Sequence, residues 1–165
     1  MPEVSAPLAP NTPGQVTRNL PGGYVVTDDA AAVDLDMVHL FLAATYWSPR
    51  IPRDRVERAI AHSLCASLLG PAGAFVGFAR AVTDRASFAY LADVFVLEAH
   101  RERGLGRALA AFLVDHPDTA TVRRWMLATR DAHGVYAPLG FGPLAAPDLL
   151  MELRPAAGQF PTADA

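Results

Sequence analysis

The chain of 165 residues is 52% apolar and carries a formal net charge of −3, which fits one domain that buries about 70% of the surface of its unfolded chain. This charge excludes a broad electrostatic attraction to nucleic acid, and no apolar stretch reaches the roughly 20 residues of a membrane span. The N-terminus has neither the basic start nor the apolar core of a signal peptide, so we expect a cytoplasmic protein with no membrane partner. The single cysteine, Cys65, excludes an internal disulfide and a multi-cysteine metal site, and no metal is predicted.

The two ends of the chain differ in composition from its middle. Residues 1–19 contain four prolines without periodicity, which indicates a flexible leader. Residues 154–165 have the composition of a polar tail. Residues 20–153 are therefore predicted to form the single folded domain.

The first elements predicted in this domain are a strand and two helices. Residues 24–26 predict the strand, and Asp28 or Asp29 can start the helix that follows it. The apolar face of that helix includes Leu35, Val38, Leu42 and Tyr46. Pro52 suits the first position of a second helix, which runs through residue 60.

A three-stranded meander is predicted next, from apolar runs at residues 64–69, 74–82 and 88–97 with short turn signals between them. A glycine loop then opens a helix at residues 105–114. A strand at residues 125–128, a short helix that Asp131 is placed to cap, and a final strand at residues 149–153 complete the chain. The predicted order is β-α-α-β-β-β-α-β-α-β, with no internal repeat.

The loop Arg101-Glu102-Arg103-Gly104-Leu105-Gly106 lies between an apolar strand and an amphipathic helix. Glycines let a backbone approach a ligand closely, and the free N–H groups at a helix start favour anions. An ordinary strand-to-helix turn with solvated arginines explains the same residues. A P-loop is excluded because the chain contains no lysine. A dinucleotide fold is excluded because the glycines follow three strands joined by hairpins.

A second motif lies about 30 residues downstream, where Tyr136 precedes Gly140 and Phe141. Together, Arg101-x-x-Gly104-x-Gly106 and Tyr136-x-x-x-Gly140-Phe141 resemble the GNAT superfamily of acetyl-CoA-dependent N-acetyltransferases over residues 23–153. The resemblance implies an α/β (α+β) fold, the GNAT acyl-CoA N-acyltransferase fold, in which about four helices flank a mixed, mostly antiparallel sheet of six to seven strands.

The resemblance also implies acetyl-CoA as the cofactor. Its pyrophosphate would bind the loop amides, here those of Arg103, Gly104, Leu105, Gly106 and Arg107, with Arg101 as the first residue of the motif. Its pantetheine arm would lie against Phe95 and Val96, where an N–H can also polarise the thioester carbonyl. Thr129 stands where the family often has an asparagine that contacts the cofactor, so that contact is open.

Two residues are predicted to carry the chemistry. Tyr136 matches the family's general acid, which protonates the departing sulfur, and the alternative is a tyrosine whose hydroxyl is only hydrated. Asp93 lies in an apolar strand similar to that of the spermidine/spermine acetyltransferases, where an acidic residue faces the amine. Asp93 is therefore a candidate base. The alternative is a structural aspartate paired with Arg130 or Arg80.

The acceptor pocket is expected around Tyr46 and Trp47, between the first two helices, with Asp93 and His133 beside it. Helix-end aromatics are also common core residues, and an exposed histidine in a first helical turn needs no function. The resulting prediction is an N-acetyltransferase that moves an acetyl group directly to a primary amine of a small molecule, with a possible homodimer. The alternatives are a catalytically silent acyl-CoA-binding module and a peptide or protein N-acetyltransferase.

Overall fold

The computed structural model describes residues 15–155, and these form a single six-stranded sheet with helices on its two faces. The strands follow one another across the sheet in chain order. They are β1 (Thr17–Leu20), β2 (Tyr24–Thr27), β3 (Leu64–Leu69), β4 (Phe75–Thr83), β5 (Phe88–Val96) and β6 (Arg124–Met126). The helices are α1 (Leu35–Ala43), α2 (Arg53–Ala61), α3 (Leu105–Val114) and α4 (His133–Tyr136), besides short 3₁₀ turns.

Strands β1 to β5 pair antiparallel, and β6 alone runs parallel to its neighbour β5. The predicted meander and the mixed, mostly antiparallel sheet are therefore confirmed. The flexible leader predicted at residues 1–19 lies partly outside the described residues. The prediction is wrong for its last residues, 17–19. Residues 17–20 form β1, which pairs with β2 across a turn at Pro21–Gly23.

The two faces of the sheet carry separate apolar clusters because successive strand residues point to opposite sides. On one face, α3 buries Leu105, Leu109 and Phe112 against β2 to β5. On the other face, Val38 of α1 and Val56 of α2 pack with residues of β4 and β5. Burying each such side chain stabilises the fold by about 1.5–3 kcal/mol.

A bulge interrupts β5, the fifth of the six strands, at Asp93. The register of β5 against β4 shifts between Phe78 and Arg80, and Asp93 has a positive φ of 53°. Pairing between β5 and β6 ends at Tyr90 and Met126. The last six residues of β5 therefore have no partner strand on their β6 side, so this edge of the sheet is open beside α3.

Three local predictions need correction. The cap of α1 is Asp34, whose carboxylate accepts from the Met37 amide, while Asp29 caps the preceding 3₁₀ turn. Asp131 does not cap α4, whose start has no side-chain cap. The amide of Ala132, the residue just before α4, donates to the Thr129 hydroxyl. No strand forms at residues 149–153. Instead the chain is extended there beyond a 3₁₀ turn, and its apolar side chains face solvent.

Candidate active site

A cleft of about 430 Å³ opens where β5 ends and where α3 and α4 begin. Seven of the predicted cofactor residues line it, together with Tyr136. Those seven are Phe95, Val96, Arg101, Gly104, Leu105, Gly106 and Arg107. Two other predicted cofactor residues, Arg103 and Thr129, do not line the cleft. The two sequence motifs thus meet at one place because the open edge of β5 leaves room between α3 and α4.

The glycine loop forms an anion cradle at the start of α3. Gly104 has φ 72°, a conformation that glycine adopts without the steric cost of a Cβ, and no side chain caps the helix. Within the described residues, none of the backbone amides from 102 to 107 donates to a protein acceptor. Free amides at a helix start attract phosphate oxygens, and the helix dipole adds about 0.3–1 kcal/mol. The residues present therefore fit the pyrophosphate of a coenzyme A group.

Gly106 leaves the floor of this cradle open. A Cβ built at Gly106 would meet no atom of the protein within 4 Å, although Gly106 lines the cleft. The protein interior therefore does not require glycine there. A ligand that approaches the backbone closely gives a reason for it.

Arg101 ties the loop to the open edge of β5. Its Nε donates to the Val96 carbonyl oxygen over 2.9 Å. The N–H and C=O of one strand residue point to the same edge, so the Val96 amide also faces the open side of β5. Arg101 thus holds the loop against the strand while its remaining guanidinium donors stay near the cleft.

Tyr136 is half-buried at the wall of the cleft, with its ring edge-on to Phe141 at a centroid distance of 6.1 Å. Burial raises the pKa of its phenol above the ordinary value of 10, and the nearby Tyr46 raises this pKa further. A phenol with a raised pKa keeps its proton throughout the neutral range. The protonated phenol of Tyr136 is therefore suited to act as a proton donor.

Asp93 is paired, as the alternative interpretation of this residue predicted. Its Oδ2 lies 2.5 Å from Arg80 Nε, and its Oδ1 accepts from Trp47 Nε1 at 3.3 Å. Both partners of the ion pair are largely buried, with side-chain exposures of 18% and 10%. Arg80 also donates to the Ser63 hydroxyl. With both carboxylate oxygens occupied, the geometry favours a structural aspartate over a free base.

Two of the predicted acceptor residues, Tyr46 and Trp47, lie beside this ion pair, and neither they nor Asp93 are among the residues that line the cleft. Tyr46 and Trp47 are about half-exposed and meet edge-to-face at 5.0 Å between ring centroids. The guanidinium carbon of Arg130 lies 3.9 Å from the centre of the Tyr46 ring. His133, the first residue of α4, is exposed and does not line the cleft.

Sequence reasoning missed part of the cleft wall. Val94, Glu102, Ala132, Gly134 and Val135 line the cleft as well. Each of the five is a direct chain neighbour of a residue predicted for the site, and this proximity was the available signal. Glu102 has a positive φ of 61°, which turns the loop toward the helix.

Other features of the described chain are separate from this cleft. A second cavity of about 490 Å³ lies among residues 31–36, Arg53 and the β3–β4 turn, and it contains none of the predicted site residues. Within residues 15–155, no group of three or more histidine, cysteine, aspartate or glutamate side chains could hold a metal ion. None of the helices in this range has the length and apolar content needed to cross a bilayer.

Comparison with known proteins agrees with the geometry. The Acetyltransferase (GNAT) family model matches residues 35–141, which include the whole cleft. A crystal structure from Xanthomonas campestris pv. campestris, of a protein assigned to the GNAT acetyltransferases, is 45% identical with a TM-score of 0.76. That match covers 79% of this chain and 92% of the other.

Two further relatives extend the comparison. A protein of Gibberella zeae assigned as an acetyltransferase is 29% identical over 130 residues, which are 67% of this chain and 73% of the relative. A Staphylococcus aureus structure of unknown function shares the fold at 18% identity and a TM-score of 0.63, over 79% of this chain and 98% of the other. Since the family match spans more than half of the sequence, the chain belongs to the GNAT family of acetyltransferases.

Proposed function

We propose that this acetyltransferase moves an acetyl group from acetyl-CoA to a primary amine of a small molecule, by direct attack with all reactants bound together. The observation that carries the proposal is the single cleft that joins the free amides at the start of α3 to the phenol of Tyr136. One end of the cleft suits phosphate binding and the other suits proton donation.

The chain's own groups would hold the cofactor through its backbone. The free amides of residues 103–107 would donate to the pyrophosphate, and Arg107 would add positive charge. When bound, acetyl-CoA supplies a thioester, which is the activated acyl group. The Val96 amide on the open edge of β5 is the donor available to the acyl oxygen. Phe95 and Val96 line this part of the cleft and exclude water from it.

Tyr136 would donate its phenolic proton to the departing sulfur. Burial keeps this proton in place at neutral pH, and positioned acids of this kind contribute about 10² to 10⁴ in rate. The amine must lose a proton before it attacks. Because Asp93 is engaged by Arg80 and Trp47, we assign that proton to water in the cleft.

A thiol-release screen tests the proposal. Acetyl-CoA is offered with a panel of amino acids, phosphorylated amines, polyamines, aminoglycosides and peptides, and free coenzyme A is measured over time. Turnover with a small amine supports the proposal. Thiol release only with peptides would show that the acceptor is a polypeptide and not a small molecule. Acetyl-CoA binding without release from any amine would identify a silent binding module.

A further inference from the structure

The group of side chains around Tyr46 and Trp47, where the acceptor pocket is predicted, carries an uncompensated positive charge. Asp93 is neutralised by Arg80 at 2.5 Å. Arg130 adds a second arginine to the same group of side chains through its contact with Tyr46. Among residues 15–155, no carboxylate lies within ion-pairing distance of Arg130, and its chain neighbour Asp131 makes no ion pair with it.

Arg130 is held in place without using its hydrogen-bond donors. Its guanidinium carbon lies over the Tyr46 ring at 3.9 Å, which is a close cation–π contact. A contact with a ring face uses none of the five N–H donors of a guanidinium. Arg130 therefore presents an oriented fork of donors, which is the geometry that binds carboxylate and phosphate groups through two bonds at once.

This arginine is exposed and does not itself line the cleft, but a chain of contacts connects it to the cleft wall. Tyr46, on which it rests, is close enough to Tyr136 to influence the pKa of its phenol. Trp47 packs against Tyr46 and donates to Asp93, which directly precedes the cleft residue Val94. The contacts thus run without a break from Arg130 to the cleft wall.

We propose that Arg130 is a specificity residue that binds an oxyanion on the acceptor, so that the preferred substrates are amines bearing a carboxylate or a phosphate group. This inference rests on the proposed function and deepens it. A substrate oxyanion would accept hydrogen bonds from the N–H donors of Arg130. A polyamine, by contrast, brings only positive charge to a group of side chains in which Asp93 is already neutralised by Arg80.

The positive charge also bears on the chemistry of the amine. A nearby cation disfavours a protonated amine and so lowers its pKa. The neutral amine is the form that attacks, and Arg130 would raise its share among bound molecules. A bound oxyanion neutralises Arg130 and offsets this effect, so we expect the preference for anionic amines to act through binding, that is, through KM.

Matched substrate pairs test the inference. Each amino acid is compared with its neutral carboxamide, and phosphoethanolamine with ethanolamine, by kcat and KM for thiol release. We expect the anionic member of at least one pair to have a kcat/KM at least tenfold higher, and the two pairs tell carboxylate from phosphate. Arg130→Gln should remove this preference mainly through KM. Arg130→Lys should restore part of it.

Arg124→Gln serves as the control, because Arg124 is an exposed arginine on β6 without the contact to the Tyr46 ring that Arg130 makes. It should keep the preference. Equal turnover of anionic and neutral amines, or an equal loss on both in Arg130→Gln, would overturn the inference and leave the proposed function standing. If no amine releases thiol, the proposed function and this inference both fail.

Discussion

Arg80 and Asp93 form an ion pair across neighbouring strands, with Nε and Oδ2 2.5 Å apart in a largely buried setting. The bulge at Asp93 makes this pairing possible. By register, Arg80 lies opposite Ala92. The next residue along β5 is Asp93, and its positive φ turns the Asp93 carboxylate toward the Arg80 guanidinium. The pair therefore stabilises the bulge, which lies within the open edge of β5.

Asp93→Asn should destabilise the protein by about 3 kcal/mol. Removing one charge of a buried pair leaves the other uncompensated, which costs about 3–5 kcal/mol, and partial exposure of Arg80 favours the lower value. Asparagine tolerates the positive φ, so backbone strain adds little. Urea unfolding followed by circular dichroism measures the loss.

The matched control is Arg80→Gln combined with Asp93→Asn. The double variant should be more stable than the sum of the single losses predicts, by about 0.5–3 kcal/mol, because no unpaired charge remains. A general base would behave differently. Unchanged stability together with a hundredfold fall in kcat for Asp93→Asn would contradict the ion-pair role.

Gly106→Val should weaken acetyl-CoA binding by at least tenfold while leaving the melting temperature nearly unchanged. A Cβ at this position meets no protein atom within 4 Å, so the new side chain is expected to enter the space that a ligand needs. Gly104→Ala should behave differently, because its φ of 72° costs a side chain about 1–2 kcal/mol. Calorimetric titration and thermal unfolding separate the two effects.

Gly142→Val is the control for this comparison, since a Cβ at Gly142 also meets nothing within 4 Å and Gly142 does not line the cleft. We expect it to bind acetyl-CoA normally. Arg101 offers a side-chain comparison, and Arg101→Gln should lose less affinity than Gly106→Val. Equal affinities for wild type and Gly106→Val would rule out the backbone cradle.

Tyr136→Phe should lower kcat by about 10² to 10⁴ with little change in acetyl-CoA affinity, because only the transferable proton is removed. The pH dependence has a defined sign. A proton donor loses activity as pH rises through its pKa, and burial places the pKa of Tyr136 above 10. The wild-type kcat should therefore show no alkaline fall below about pH 10 that depends on this group.

Tyr90→Phe provides the matched control, because Tyr90 lies on β5 opposite Met126 and outside the cleft. Its kcat should match that of the wild type. Turnover by Tyr136→Phe at the wild-type rate would show that another group or water protonates the sulfur.

Local sequence patterns predicted most of the helices and strands, because an element that buries one face carries apolar residues at a regular spacing along the sequence. The prediction of a helix at residues 105–114 matches α3 at both ends. Its start was predictable because the glycine loop sets where the helix begins. The same logic was wrong at residues 149–153. Four of the five residues there are apolar, as in a buried strand, yet Leu149, Met151 and Leu153 are 83–99% exposed and no strand pairs with them.

The site was predictable where the backbone defines it and less so where side chains meet across strands. The cradle follows from two glycines before a helix. The partner of Asp93 could not be chosen between Arg80 and Arg130, because the choice depends on a bulge in the strand register. A positive φ at a residue other than glycine has little signal in the sequence, since tertiary packing imposes it.

Cys65 should resist alkylation in the folded protein. Burial raises the pKa of its thiol from 9.0 to about 12, partly opposed by the charge of Arg80, so the thiolate fraction at pH 8 falls about a thousandfold. Iodoacetamide labelling at pH 8, followed by mass spectrometry, should be slow in the native state and fast in guanidinium chloride. Cys65→Ser should also leave turnover intact, because the thiol does not line the cleft. Rapid native labelling that acetyl-CoA blocks would instead point to an acyl-enzyme on this cysteine.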